Sequence, residues 1–113
     1  MEWHEVQRQI AGGQGPHTAF EPNAGDLSGV GRAVCALANT RGGVVILGVD
    51  DAGTILGETE EHVDLRARLT SLLRSECSAP VHVRFGSHED VDGRVEWIEV
   101  PRQTDFEPFR FAG

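Results

Sequence analysis

Residues 33–57 read AVCALANTRGGVVILGVDDAGTILG, and the order of their parts decides the fold. Val34, Leu37 and Ala38 continue a helical face begun by Leu27 and Val30, with Asp26 or Ser28 placed to cap its start. That helix is predicted to run to about Asn39. Thr40 to Gly43 stop it, the paired glycines being able to take positive φ. VVILGVD, residues 44–50, is a continuous β-branched run of strand length, which predicts a strand buried on both faces at the centre of a sheet. Asp50, Asp51, Ala52 and Gly53 then offer turn chemistry, and Thr54–Leu56 is expected to return as a short antiparallel strand.

Working outward, Trp3, Val6, Gln7 and Ile10 give residues 2–11 a helical spacing that ends at Gly12 and Gly13. HTAFEP, closed by Pro22, reads as an edge strand, because proline cannot serve a central ladder. Downstream, Val63, Leu65, Leu69, Leu72 and Leu73 mark a helix to about Glu76, with acids at its start. VHVRF and RVEWIEV alternate on either side of EDVDG, predicting a hairpin with one wet face on which Arg84 and Arg94 ladder with Glu96 or Glu99. The sum is an α+β fold, a small, mixed, mainly antiparallel β-sheet with two to three packed helices.

The 113 residues suit one domain, 1–113. Ten basic residues against eighteen acidic ones leave a net charge of -8, so bulk charge does not attract a polyanion and any such partner needs a local basic patch. All ten are arginines, planar forks suited to phosphate. Cys35 and Cys77 lie in helical, apolar segments and are expected to be small hydrophobes in a reducing compartment. The start carries scattered charges, no stretch approaches a membrane span, and the expected location is cytoplasmic with no membrane partner. Phe106, Phe109 and Phe111 sit in a C-terminal segment without period, expected either to pack on the domain or to continue into a longer parent protein of which this is the N-terminal part.

The central run, with its Ala-Asn-Thr helix end, paired-glycine turn, buried strand and Asp-Asp-x-Gly hairpin, resembles the AlbA_2 domain of the Schlafen family, and the resemblance extends from about Gly13 to Pro101. It implies a nucleic-acid-associated α/β fold found in transcription-regulator-like proteins, and in some animal members a ribonuclease using three carboxylates. The family's usual last strand is missing beyond Gly113. The family motif of Glu, four residues, Glu, Phe-Lys falls on QGPHTAFEP, where Gln14 and Ala19 stand at the glutamate positions, Phe20 is kept and Glu21 replaces lysine. Only the third acid matches, at Asp51.

One aspartate cannot hold Mg²⁺ or Mn²⁺ for phosphoryl transfer. Period-two counting puts Glu21 on the face of Ala19, from which it could supply a second carboxylate near Asp51. Asp50 and Asp51 also suit a plain turn. No phosphate-loop motif is present, and His4, His17, His62, His82 and His88 show no paired metal spacing. Arg32, Arg41, Arg66, Arg68 and Arg74, on or beside the second and third helices, are the candidates for nucleic-acid contact. The expectation is therefore a module that binds DNA or RNA, or regulates, without catalysis and without cofactor. The alternatives are a metal-dependent endoribonuclease using Asp51 and Glu21 with Mg or Mn, and a protein-interaction domain that forms a homodimer or contacts other domains of its parent.

Overall fold

Asp26 starts the helix that organises the domain: its carboxylate accepts the Gly29 N–H at 3.0 Å and α2 runs from Leu27 to Ala38. Such a cap satisfies a donor that the first helical turn would otherwise leave open. The computed structural model describes residues 1–59, 62–76 and 82–102. Around α2 stand α1 (Trp3–Gly12), β1 (Thr18–Glu21), β2 (Gly43–Leu47), α3 (His62–Glu76), β3 (Arg84–Asp90) and β4 (Gly93–Val100). The sheet order is β1-β2-β4-β3, with β1 parallel to β2 and the other pairs antiparallel. The expected α+β architecture is the observed one.

β2 is central, and its alternate side chains feed two cores. Val45 and Leu47 join Val30, Val34, Leu65, Leu69 and Ile98 beneath α2 and α3. Val44 and Ile46 join Val6, Phe20 and Trp97 beneath α1. The run VVIL lacks polar alternation because both its faces are covered. Gly42 makes the tight entry: it has φ +79°, its N–H donates to Leu37 O at 3.0 Å, and a Cβ there would strike the Val100 carbonyl.

Several expectations need correction. Thr54–Leu56 is no strand but a single bridge, Val49 to Ile55, since the Asp50 turn and Gly57 leave too little length for a ladder. The second hairpin has no wet face along β4: Val95 to Ile98 are all buried, because β4 is interior and helices cover both sides. Its polar letters are an ion pair turned inward, Arg94 Nε lying 3.0 Å from the 2%-exposed Glu96 carboxylate, a contact by charge rather than by an aligned hydrogen bond. Finally, Cys35 is disulfide-bonded rather than a free thiol on the buried face of α2. Tertiary packing decides whether two sulfurs meet, and local apolarity does not report it. Cys77 and the three C-terminal phenylalanines lie outside the described residues.

Of the expected cross-strand ladder, Arg84 does stand opposite Glu99, whereas Arg94 stands opposite Glu89 and meets Glu96 along β4 rather than across the hairpin. β3 begins later than the alternation of VHVRF suggests, because the turn closes tightly on Asp90 opposite Gly93 and fixes the pairing from that end.

Candidate functional site

Parallel β1 and β2 end side by side, so the segments leaving them emerge at one end of the sheet. β1 ends on Glu21, and the turn after β2 carries Asp50 and Asp51. The two aspartates divide the work. Asp50 Oδ1 accepts the N–H groups of Ala52 and Thr54 at 3.0 and 2.9 Å and builds the turn. Asp51 is left exposed, and its carboxylate receives Gln14 Nε2 at 3.3 Å. The other end of the same amide, Gln14 Oε1, accepts the Phe20 N–H at 2.9 Å. Gln14 thus ties the hairpin to the outer edge of β1.

Ala19 and Glu21 share the α2 side of β1, as period two requires. Ala19 packs against the core there, while Glu21 is half-buried. Burial pushes the Glu21 carboxyl above its ordinary range, the nearby charges of Asp26 and Asp51 push it further, and Arg32 opposes them. The Glu21 carboxyl therefore feels two other acids and one arginine at this end.

They do not make a metal site. Gln14 offers a neutral oxygen already engaged by a backbone N–H, Ala19 offers nothing, and Asp26 is spent on its helix cap. Among the described residues no three His, Cys, Asp or Glu side chains stand together to hold a metal ion. The residues present do not fit Mg²⁺ or Mn²⁺, which need several hard anionic oxygens.

The arginine candidates are not gathered into one patch. Arg32 lies by Glu21, and Arg41 stands before β2, at the opposite end of that strand from Asp51. On α3 the buried stripe is Leu65, Leu69 and Leu73, so at about 100° per residue Arg66 and Arg68 flank it on opposite sides while Arg74 points away. Arg66 lies over the Phe85 ring, Cζ to centroid 5.6 Å. Arg41, Arg68 and Arg74 are exposed.

The sequence reading missed two features. An open cleft of about 610 Å³ forms where β2 begins and β4 ends, and it is lined by His17, Val44, His82, Arg84, Glu99 and Val100 among others. His17 Nδ1 sits 3.1 Å from the Gly42 carbonyl, which can only accept, so the proton is on that nitrogen. On the α1 side, Trp3 stacks on His88 at 4.2 Å and lies 6.2 Å from Trp97. These contacts join segments far apart in the chain, and no local pattern signals them. No helix among the described residues is long and apolar enough to cross a membrane.

Three helices on a mixed four-stranded sheet, with a carboxylate-bearing turn beside the end of a parallel edge strand, define a small α+β domain. The sequence matches the Schlafen, AlbA_2 family over residues 6–111, and the chain belongs to that family. Among solved structures it is similar to the DIP2311 protein from Corynebacterium diphtheriae, at 18% identity and TM-score 0.66, covering 96% of this chain and 23% of that one. It is also similar to the N-terminal domain of a RecG-related protein, named for an ATP-dependent DNA helicase, from Nitrosomonas europaea, at 19% identity and TM-score 0.69, covering 87% of this chain and 71% of that one. At these identities the likeness is one of fold. The chain spans about a quarter of the Corynebacterium protein. No curated protein matches it.

Proposed function

We propose that this domain is a nucleic-acid-binding or regulatory module of a longer protein, without catalysis of its own. The observation that carries the second half is Gln14. At the first family glutamate position stands an amide whose two ends are spent on Phe20 N–H and Asp51, and the second position, Ala19, carries no ligand and packs against the core. Support for the first half comes from membership of the Schlafen, AlbA_2 family and from the fold shared with the N-terminal domain of a helicase-named protein. Because the chain is acidic overall, contact with phosphates falls to the exposed arginines, foremost Arg41 before β2 and Arg74 on α3.

A salt titration of binding to single-stranded RNA, a folded tRNA-like RNA and duplex DNA tests this reading. Each phosphate contact contributes roughly 0.9 to the log–log slope on duplex DNA and about 0.7 on single strands. Arg41→Ala and Arg74→Ala are each expected to flatten the slope by about one contact on every sequence offered. Absence of affinity at low salt for all three nucleic acids sinks the proposal. RNA cleavage with Mn²⁺ that Asp51→Ala abolishes would move the domain to the ribonuclease class.

A further inference from the structure

The sheet has two outer edges, and they are finished differently. β1 is four residues long and Pro22 follows it. Gly15 bridges back to Thr18, and the Gln14 side chain takes the Phe20 N–H, so the Thr18 N–H and C=O and the Phe20 N–H on the outer side of β1 are engaged from within. β3 is seven residues long, contains no proline, and among the described residues pairs only with β4. A row of open N–H and C=O groups of that length is a template for another strand.

We propose that β3 pairs antiparallel with β3 of a second copy of this chain, joining two four-stranded sheets into one. The sequence of the strand, Arg-Phe-Gly-Ser-His-Glu-Asp, is charge-complementary to its own reverse. With a two-fold axis at Ser87, Arg84 of each copy stands opposite Asp90 of the other, Phe85 opposite Glu89, and Gly86 opposite His88. Gly86 lies against the Trp97 indole on the α1 side and Phe85 packs against the α2–α3 core, so alternation assigns each pair its face. On the α1 side the junction carries the two Arg84–Asp90 pairs. On the other, the Arg66 guanidinium over Phe85 stands beside the incoming Glu89. Opposite charges directly across a strand pair favour that register, and like charges there disfavour it. The contact is isologous and closes at two copies, since the β1 edge is already engaged. The inference stands apart from the nucleic-acid reading.

Sedimentation velocity of the full chain over a concentration series into the millimolar range is expected to show a reversible dimer. Arg84→Asp and Asp90→Arg each place like charges at both ends of the junction, and each is expected to weaken dimerisation at least about tenfold. An equimolar mixture of the two variants is expected to restore the dimer, because one chain then presents acids at both positions and the other presents bases at both. Thermal melts of each variant establish that the monomers are folded, and Glu89→Arg, facing Arg66, is the second variant should either fail. A monomeric full chain overturns the proposal, as does a dimer indifferent to both substitutions, or a mixture of folded variants that does not associate. A chain ending at Arg102 that dimerises where the full chain does not overturns it too, in favour of residues 103–113 as the cover of this edge.

Discussion

The β1 and β3 sides of one sheet are held by opposite means. β1 is short and burial-driven: Thr18 and Phe20 are buried, Phe20 joins the core under α1, and a side-chain amide closes the outer edge. β3 is longer and has no buried residue. It is fastened by ring contacts, with Trp97 lying against Gly86 and Trp3 stacked on His88. An edge strand can therefore be secured either by sinking its side chains or by laying a neighbour's rings across it. Only the first way also engages the outer backbone.

Truncating one phenylalanine on each side breaks the comparison most sharply. Phe20→Ala removes a ring that is 4% exposed and is expected to cost about 4 kcal/mol, whereas Phe85→Ala, at a half-buried position, is expected to cost about 1–2 kcal/mol. Urea unfolding of both variants measures the difference. Equal losses would mean that β3 is held by its side chains after all. Next in size is Gly86→Val. A Cβ at Gly86 would overlap the Trp97 indole, so the ring must leave or the strand must part, at about 3 kcal/mol. Near-ultraviolet circular dichroism should report the displaced tryptophan. A variant with wild-type stability and spectrum would remove the ring from its assigned place in fastening β3.

Gln14→Ala tests the other fastening. It leaves the Phe20 N–H without its side-chain acceptor and releases Asp51, for an expected loss of about 1 kcal/mol. Hydrogen exchange at Phe20 should quicken while exchange along β4 stays as it was. Gln14→Glu sharpens the point: it sets a second carboxylate against Asp51, and its stability should fall further as pH rises and both acids ionise.

How much of this was legible in the sequence depends on which forces are local. The α2 face, its Asp26 cap and the unbroken β-branched run of β2 are written at periods of 3.6 and continuous, and they placed the centre of the sheet correctly. The alternation of β4 was legible too, but its meaning was not. Arg94 and Glu96 look like solvent-facing residues until two helices and a neighbouring strand enclose them. The start of β3 was misplaced because alternation runs equally well through either register, and only the closed turn from Asp90 to Gly93 chooses. At the candidate site, the family motif pointed to Gln14, Ala19 and Asp51, and period two placed Glu21 beside Ala19. That Gln14 reaches two partners at once depends on how the loop folds back on β1, which no spacing encodes.

The smallest effect expected is at Glu21, and its sign is set by its surroundings. Burial raises the carboxyl above its ordinary value of 4.5, and the charges of Asp26 and Asp51 raise it further. The folded chain then binds this proton more tightly than the unfolded chain does. Stability is highest below that ordinary value and falls as pH climbs through the raised one. Glu21→Gln cannot ionise and escapes the penalty. The variant should be more stable than wild type at neutral pH, and the advantage should vanish as pH drops below 4.5. Loss of the attraction to Arg32 works the other way but is the smallest of the four influences. If the Glu21→Gln advantage stays constant between pH 7 and pH 4, the gain comes from packing rather than from charge, and the crowding of acids at the end of β1 loses its energetic meaning.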